Sequence, residues 1–334
     1  MHNTTKFNTI NSPLVTVLIP CCNVERYIES SLMNVINQTY KNLEILVIDD
    51  GSTDNTRSIL VQLAKKDKRI NLIYNQENNG LIKSLNNGIE IAKGEYIART
   101  DADDLVEKNW IEELIYILEK SPEILAIGAH ANIINNKNKV LNQITPPEYH
   151  QDIIEMMPFS CPIIHPVSII RSSVFKKNKL RYDENYIYAE DYKLWLEISK
   201  IGKLHNLQKI LINYRIHENQ VSSKRQKEQE ETAKKIRIES CNRIFHINNL
   251  NISINQPISI QQILSLILIY QKSNCTIRIM PKIIYELCLS IKKISILDII
   301  TLFNNQYIKK NLSRSQHIKL IKKFIRPKKY KGCF

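Results

Sequence analysis

The first hundred residues alternate short apolar runs with segments in which apolar residues recur every three or four positions. Four runs have the length of buried strands and cover residues 15–19, 43–48, 70–74 and 96–100. Three segments have helical spacing: residues 28–38, residues 81–92, and one that runs through Leu63 from an N-cap at Ser52 or Thr53. This alternation of strand and helix predicts a parallel sheet covered by helices.

After residue 104 the patterns become more varied. Helices are predicted over 110–118 and 191–200, and strands over 124–130, 131–141, 167–170 and 210–216. Residues 146–166 hold five prolines, which predicts a long irregular loop. From residue 224 onward the spacing is helical with charged faces. The sequence therefore predicts an α/β domain over residues 1–222 and a basic, mainly helical region over 223–334.

Positive charge is concentrated in the last third of the chain. The net charge is +14, and residues 221–334 hold 22 of the 47 Lys and Arg residues but only 6 of the 33 Asp and Glu residues. Residues 309–334 contain ten Lys or Arg and no acidic residue. Such a segment is attracted to an anionic surface, such as acidic lipid, nucleic acid or an acidic polymer.

The cysteines and the apolar runs bear on the expected location. The seven cysteines are Cys21, Cys22, Cys161, Cys241, Cys275, Cys288 and Cys333. Their number is odd and none lies in a CxxC pair, so we expect neither a zinc site nor a disulfide framework. The first residues lack the apolar core of a signal peptide, and no run reaches the ~18 apolar residues of a membrane span. The closest runs, 258–270 and 294–303, are interrupted by polar residues and suit buried or surface-lying helices. The expected location is the cytoplasm, where the basic C-terminus could contact the inner face of an anionic membrane.

Three of the predicted strands end in residues suited to ligand binding. Pro20 follows the first strand, Asp49 and Asp50 follow the second, and the cluster DADD at 101–104 follows the fourth. Ligands bind at the carboxyl ends of parallel strands, so these residues should converge on one edge of the sheet. Two carboxylates in DxD spacing suit Mg²⁺ or Mn²⁺, because both ions prefer oxygen ligands. The same short pattern is also typical of an acidic turn.

Three other acidic or basic groups carry two interpretations each. Asp50 could accept hydrogen bonds from a nucleobase or ribose, or could belong to a capped turn. Asp191 lies at the positive end of a helix, on the buried side, where it could act as a general base or simply favour the helix dipole. His217 ends a predicted strand, and a lone histidine there is more often a surface or core residue than a metal ligand.

Taken together, these motifs resemble those of the family 2 glycosyltransferases, which are inverting enzymes of the GT-A fold. The matching strings are VLIPCCNVERYI (17–28), NQTYKNLEILVIDDGSTDNT (37–56), NNGLIKSLNNGIEIAKGEYIARTDADD (78–104), HPVSIIRSSVF (165–175), AEDYKLWLEISKIGK (189–203) and INYRIHENQVS (212–222). Their order and spacing agree with the family over residues 14–222. The resemblance implies a Rossmann-like mixed sheet flanked by helices, with a nucleotide-binding half over about 14–104 and an acceptor half over about 105–222.

The resemblance also implies roles for individual residues. The donor-binding residues would be Pro20, Cys22, Asn23, Glu25, Asp49, Asp50, Lys83, Asp101, Ala102 and Asp103. Among these, Asp50 would contact uracil, Asp101 would face the ribose and diphosphate, and Asp103 would be the principal metal ligand. Lys83 would be a basic donor contact. Asp191 would be the general base, and His217 matches a histidine that some members place near the metal and the diphosphate.

The implied activity is transfer of a sugar from a nucleotide sugar, with UDP-sugar expected, to a hydroxyl group of a glycan or a lipid-linked acceptor. Lipopolysaccharide, capsule and other surface polysaccharides are the expected products, and Mn²⁺ or Mg²⁺ is the expected cofactor. One departure is Cys22, which stands where the family usually has an aromatic residue, so stacking on the base would be weaker or would come from elsewhere.

Two other functions are compatible with parts of the sequence. A sugar-1-phosphate nucleotidyltransferase has a related fold, but it uses a Gly-rich N-terminal loop, and this chain has PCCN at that position. A non-enzymatic nucleic-acid-binding protein would explain the basic tail, but the sequence has no recognisable nucleic-acid-binding motif, and no nucleic-acid partner is expected.

Overall fold

The computed structural model describes residues 12–218, 220, 224–273, 276–291 and 295–325. The chain divides into two compact units: an α/β unit of residues up to 153 together with 162–229, and a helical unit of residues 154–161 together with 230 onward. Some sequence predictions fall on residues outside the described ranges, namely those for Cys275, for Cys333, for the first eleven residues and for the end of the basic segment at 326–334.

A mixed sheet of nine strands lies at the centre of the α/β unit in the described part of the chain. The strands are β1 (Val15–Cys21), β2 (Leu43–Asp50), β3 (Ile70–Asn75), β4 (Tyr96–Arg99), β5 (Leu105–Val106), β6 (Ile124–Ile134), β7 (Val140–Ile144), β8 (Ile169–Arg171) and β9 (Lys203–Arg215). Their order is β3-β2-β1-β4-β8-β6-β9-β5, with β7 paired to β6. The first four strands in this order are parallel, whereas β8 is antiparallel to both of its neighbours.

Seven helices accompany these strands within the described residues. They are α1 (Ile28–Ile36), α2 (Thr56–Lys66), α3 (Leu81–Ile91), α4 (Trp110–Lys120), α5 (His150–Met156), α6 (Ser172–Lys176) and α7 (Glu190–Ile201). The helices bury their apolar stripes against the sheet; Trp110 of α4 and Trp195 of α7 are completely buried. Apolar burial of this kind is the dominant favourable term in folding.

The predicted α/β architecture is confirmed, and so are its four parallel strands. β1, β2, β3 and β4 contain the apolar runs at 15–19, 43–48, 70–74 and 96–100, and β1 and β2 are buried along their whole lengths. One detail differs, because Pro20 lies inside β1 instead of ending it. β4 pairs with β1 only as far as Leu18, so the missing N–H of Pro20 removes no bond to β4.

Three local predictions were wrong. Residues 146–166 are not one irregular loop, because α5 forms between the prolines and buries Ile153 completely. The strands predicted over 124–130 and 131–141 are one long strand, β6, followed by the short edge strand β7. Neither Ser52 nor Thr53 caps α2, which begins only at Thr56. Their hydroxyl groups instead contact the loop that follows β1.

The helical unit has an apolar core of its own. Its helices are α8 (Gln226–Ile247), α9 (Ile260–Lys272), α10 (Met280–Ser290), α11 (Ile296–Asn304), α12 (Gln306–Asn311) and α13 (Arg314–Ile325). Isoleucines and leucines from these helices, together with Ile154 and the buried Phe245, form the core. The predicted mainly helical C-terminal region is thereby confirmed. Among the described residues, none of these helices has the length and apolar character needed to cross a bilayer.

Candidate active site

The carboxyl ends of β1, β2 and β4 meet at one edge of the sheet, as expected for adjacent parallel strands. The loop after β1 is fastened to the loop after β2 by a set of side-chain hydrogen bonds. The Asn23 Oδ1 atom accepts from the Thr53 backbone N–H at 2.8 Å, and the Glu25 carboxylate accepts from Asn55 at 2.9 and 2.8 Å. Asn23 has a φ of 53°, a left-handed conformation that asparagine tolerates better than most residues. These two residues therefore hold the shape of this edge.

Asp49 is completely buried at the end of β2. One carboxylate oxygen accepts from the Ser52 backbone N–H at 3.0 Å, and the other forms an ion pair with Arg57 at 3.0 Å. Arg57 also lies over the ring of Tyr74, 4.6 Å from its centroid. Asp49 thus supports the loop after β2 and its carboxylate is already engaged.

Asp50 joins the end of β2 to the start of α3. Its Oδ1 atom accepts from the Asn75 side chain at 2.7 Å and from the Asn79 backbone N–H at 3.0 Å, and its Oδ2 atom accepts from the Gly80 N–H at 2.9 Å. A carboxylate has about four acceptor sites, so one site on Oδ2 remains for another donor. Gly80 has a φ of 90°, which glycine adopts without strain.

Cys22 lies beside this junction, half-buried, where the Asn78 side-chain amide donates to its sulfur at 3.3 Å. Burial raises the pKa of the Cys22 thiol, so the group is neutral at physiological pH. The free thiol is small and offers no aromatic face. Lys83 lies nearby in the first turn of α3, where its side chain is exposed.

The three aspartates of the DADD cluster come together after β4. Asp101, Asp103 and Asp104 each have a carboxylate oxygen within 4.8 Å of the others. Ala102 between them is buried, and its small side chain packs in the core of the sheet. Burial and the neighbouring Asp101 and Asp103 raise the pKa of Asp104 well above its usual range. Three carboxylates this close repel one another, and a divalent cation would relieve that repulsion.

Arg99 forms an ion pair with Asp101 of the cluster. The guanidinium forms a two-pronged ion pair with the carboxylate, with N–O distances of 2.6 and 2.7 Å. Arg99 is buried, and Asp101 is partly exposed. Two parallel bonds of this kind fix the orientation of a carboxylate.

His217, which follows β9, approaches Asp103. Its Nε2 atom lies 2.9 Å from Asp103 Oδ2, and its ring lies 5.3 Å from the ring of Tyr27. Tyr27 in turn lies under Arg215, 4.9 Å from the guanidinium carbon. The structure thus brings the predicted histidine to the predicted metal ligand, across 114 residues of sequence.

Asp104 is completely surrounded by protein, and Arg215 holds its loop in place. The Arg215 N–H donates to Asp104 Oδ1 at 2.7 Å, and the Arg215 side chain donates to the carbonyl oxygen of Asp103 at 2.8 Å. Among the described residues, Asp104 Oδ2 has no hydrogen-bond partner, nor do the nearby Thr100 hydroxyl and the Arg99 Nε atom. Buried polar groups are normally paired, so unpaired ones beside an acidic cluster suit a bound polar group.

The donor set therefore fits a hard divalent cation. It offers carboxylate oxygens from Asp101, Asp103 and Asp104, with the imidazole of His217 next to Asp103. Mg²⁺ and Mn²⁺ take such ligands and complete their coordination with substrate phosphates and water.

A second group of acids lies at the start of α7, within electrostatic range of Arg99 and Asp101. Asp191 accepts from the Tyr192 backbone N–H at 2.7 Å. Burial raises the pKa of Asp191; the Tyr192 N–H and the charge of Arg99 oppose that rise, whereas Asp101 adds to it. The predicted base and the predicted donor-site carboxylate are thus close enough to interact electrostatically, and Arg99 acts on both.

Tyr182 and His165 complete the surroundings of Arg99. The Tyr182 hydroxyl lies 2.7 Å from His165 Nε2, and the Asn86 side chain bonds to the Tyr182 backbone at both its N–H and its carbonyl oxygen. Burial and the charge of Arg99 lower the pKa of His165 well below its usual range, so this imidazole is neutral. These hydrogen bonds hold Tyr182 and His165 in place.

Glu190, next to Asp191, is buried, and burial together with the Asp191 charge raises its pKa to about 7. An unfolded glutamate has a pKa near 4.5. Between these values the folded state binds more protons than the unfolded state, so this group makes the protein less stable as pH rises from 4.5 to 7. The loss corresponds to about 3 kcal/mol.

Glu190→Gln should therefore remove this pH dependence and make the protein more stable than the wild type above pH 7. Chemical denaturation across pH 5 to 8 measures the effect. Glu197→Gln in the same helix is the matched control, because Lys193 and Lys200 lower the pKa of Glu197 and its removal should destabilise the protein at neutral pH. An unchanged pH profile in Glu190→Gln would contradict the prediction.

Several residues of this site were missed by the sequence argument. Arg99, Arg215 and Glu190 lie within the matched strings and Tyr182 lies between two of them, but their residue types alone do not indicate which residues they contact. One signal was available for Arg99. Residues two positions apart in a strand point to the same face, so a basic residue two positions before an aspartate at a strand end can contact that aspartate. The contacts of Arg215 with residues more than one hundred positions away gave no local signal.

Comparison with known proteins places this geometry in context. The model of the family described as "Glycosyl transferase family 2" matches residues 16–179. A Haemophilus influenzae protein described as an uncharacterized glycosyltransferase is 41% identical over 329 residues, which cover 95% of this chain and 98% of that protein. A glycosyltransferase of Streptococcus pneumoniae, GlyG, is 36% identical over 121 residues, which cover 36% of this chain and 40% of GlyG.

Two solved structures share the fold. S. aureus TarS 1–349 in complex with UDP-GlcNAc superposes with a TM-score of 0.57 at 17% identity and covers 94% of this chain and 92% of TarS 1–349. The mannosyltransferase PcManGT from Pyrobaculum calidifontis, in complex with GDP-Man and Mn²⁺, superposes with a TM-score of 0.54 at 17% identity, covering 96% of this chain and 89% of PcManGT. At this level of identity, the likeness concerns the fold.

Proposed function

Because the chain is a glycosyltransferase that belongs to glycosyl transferase family 2, we propose that it transfers a sugar from a nucleotide-sugar donor to an acceptor hydroxyl with inversion at the anomeric carbon. The observation that supports the proposal is that the charges of Asp101 in the DADD cluster and of its ion-pair partner Arg99 both act on Asp191. A donor diphosphate at the cluster would place its sugar toward α7, where Asp191 lies.

The donor-binding residues would be those at the carboxyl edge of the sheet. Asp50 keeps one acceptor site for an N–H of the base, and the exposed Lys83 can reach an anionic group over the start of α3. A UDP-sugar is the donor we favour, and the solved relatives bind UDP-GlcNAc and GDP-Man respectively. Cys22 offers less contact area to a base than an aromatic ring does, so base stacking would contribute less here.

The cation would be held by Asp103, with Asp101, Asp104 and His217 beside it. A bound Mn²⁺ or Mg²⁺ supplies positive charge that stabilises the diphosphate as it departs. PcManGT contains Mn²⁺, which supports that ion as the first to test.

The chain's own residues would carry out the proton transfer and the orientation. The Asp191 carboxylate removes the proton from the acceptor hydroxyl while the oxygen of that hydroxyl attacks the anomeric carbon of the donor sugar. The bond to the diphosphate breaks in the same displacement, which inverts the configuration. Arg99 keeps Asp101 fixed and favours the ionised form of Asp191, while Lys83 stabilises negative charge on the leaving group.

The acceptor we propose is a hydroxyl of a glycan or of a lipid-linked sugar, in the synthesis of a cell-surface polysaccharide such as lipopolysaccharide or capsule. The strongly basic residues of the C-terminal region suit an acceptor at an anionic surface. Family membership decides against the two alternatives, a sugar-1-phosphate nucleotidyltransferase and a non-enzymatic nucleic-acid-binding protein.

A thermal-shift screen of nucleotide sugars with and without Mn²⁺ tests the donor proposal. A ligand at one hundred times its dissociation constant stabilises the folded state by about 2.7 kcal/mol, and the melting temperature should rise by several degrees. We expect the largest shift with a UDP-sugar in the presence of Mn²⁺, and a smaller one with EDTA. The free sugar is the control. No metal-dependent shift with any UDP- or GDP-sugar would overturn the proposal.

A further inference from the structure

Two helices of the helical unit expose large apolar side chains. Leu297 and Ile300 of α11 are 72% and 51% exposed, and Ile318 and Ile321 of α13 are 44% and 46% exposed. In each helix the two residues are three positions apart and so lie on the same face. The opposite faces are buried, because Leu302 of α11 and Leu320 of α13 pack in the core of the unit.

Ring contacts join these two helices. Phe303 of α11 lies 6.2 Å from Phe324 and 5.9 Å from His317 of α13, measured between ring centroids. Ile300 precedes Phe303 by three residues and Ile321 precedes Phe324 by three, so each exposed isoleucine neighbours this contact on its own helix. We name the exposed side chains of Leu297, Ile300, Ile318 and Ile321 the apolar face.

Exposed basic side chains lie close in sequence to the apolar face. On α12 and α13 the exposed cations are Lys309, Lys310, Arg314, Lys319 and Lys322. Arg314 and Lys322 each lie four positions from Ile318, one turn along the same side of α13. Asp298 is the one acidic residue after Glu286 in the sequence, and its carboxylate is bonded to Ser295 at the start of α11. The exposed surface of these helices therefore combines apolar side chains with cations and little negative charge.

We propose that this face docks on an anionic lipid bilayer, with the four apolar side chains in the interface and the Lys and Arg side chains at the level of the lipid phosphates. Helices that lie in the membrane surface combine these two features. The apolar face lies beyond residues 16–179, which the family model matches, and docking through it does not require transfer activity.

Charge and chemistry favour lipid over two other occupants. A second copy of the chain on the same face would bring lysines against lysines, and like charges across an interface oppose association. A nucleic acid would attract the cations through its phosphates, but the exposed isoleucines and leucine would gain little from its backbone. An anionic bilayer interacts favourably with both the cations and the apolar side chains.

Co-sedimentation of the full chain with vesicles tests the proposal. We expect binding to vesicles of phosphatidylcholine with phosphatidylglycerol and little binding to phosphatidylcholine alone. Lys319→Gln with Lys322→Gln should weaken partition by more than tenfold, because each cation near an anionic surface contributes about a fivefold factor. Ile318→Gln with Ile321→Gln should weaken it by about tenfold through lost apolar burial. Raising salt from about 0.1 to about 1 M should reduce the charge-dependent part and leave the apolar part.

Matched controls come from exposed residues of the α/β unit. Lys65→Gln with Lys66→Gln removes the same charge, and Val61→Gln with Ile91→Gln removes two apolar side chains of similar exposure; neither pair should change vesicle binding. Ile318→Trp supplies a second measurement, because the fluorescence emission of the added indole should shift to shorter wavelength on anionic vesicles. Wild-type protein that stays in the supernatant, or an isoleucine variant that binds as tightly as the wild type, would overturn the proposal. So would tight binding to duplex DNA or RNA without binding to vesicles.

Discussion

Asp191→Asn should lower kcat by about a thousandfold while leaving the nucleotide-dependent thermal shift unchanged. A positioned general base contributes about 10²–10⁴ to the rate, and asparagine keeps the shape of aspartate but cannot take up a proton. Asp191 lies at the start of α7, where burial raises its pKa. Activity of the wild type should therefore increase as pH rises through that pKa, since only the ionised carboxylate accepts the proton. Steady-state transfer assays across pH measure both effects.

Two variants in the same helix make the test specific. Glu197→Gln removes a surface charge that is paired with Lys193 and Lys200, and it should leave kcat within a few-fold of the wild type. Glu190→Gln removes the adjacent buried acid. If kcat fell by about a thousandfold in Glu190→Gln but not in Asp191→Asn, the proton acceptor would be Glu190 and the assignment of Asp191 would be wrong.

The parallel half of the sheet was predictable because three of its four strands, β1, β2 and β4, are buried along their whole lengths. A strand covered on both faces is a nearly continuous apolar run, and β1 and β2 are each apolar apart from one internal polar residue and the two aspartates that end β2. The convergence of Asp50 and DADD on one edge followed from strand direction alone. The other half of the sheet, which mixes parallel and antiparallel pairs, was harder, because β9 is partly exposed and its residues 203–209 carry no clear apolar run.

The misjudged segment at 146–166 shows a different limit. Its prolines flank α5 without entering it, and the helix forms because Ile153 and Ile154 gain burial there. Burial depends on what the rest of the chain places alongside, so proline content alone could not decide the structure of this segment. The number of prolines in a segment does not show whether a helix can form between them.

At the site, residue types were easier to predict than their contacts. The DADD carboxylates and His217 were identified from the sequence, and the structure brings Asp103 and His217 within 2.9 Å of each other. The ion pair between Arg99 and Asp101 was not identified from the sequence, and neither was the hydrogen bond from Arg215 to Asp104. Each of these contacts depends on the fold that surrounds it. The residues that orient a site are ordinary cations in a sequence and become recognisable only by their partners.

Asp103→Asn should abolish the Mn²⁺-dependent part of the donor thermal shift and lower kcat/KM by about a thousandfold or more. Asp103 contributes one of the three clustered carboxylates and contacts His217 at 2.9 Å. Asparagine keeps the size of the side chain but replaces a charged ligand oxygen with a neutral one, which binds a hard divalent cation less tightly. With less cation bound, the charge of the departing diphosphate would be less well neutralised.

The matched control for Asp103→Asn is Asp67→Asn, which removes an aspartate that is paired with Arg69 just before β3. Because β3 is parallel to β1, β2 and β4, its amino end lies at the opposite edge of the sheet from the DADD cluster. Asp67→Asn should keep the Mn²⁺-dependent shift and its activity, apart from a small loss of stability. A metal-dependent shift of full size in Asp103→Asn would show that the cation is held elsewhere. In that case Asp101 and Asp104 are the next ligands to test, because their carboxylates lie in the same cluster and the Asp104 Oδ2 atom has no hydrogen-bond partner among the described residues.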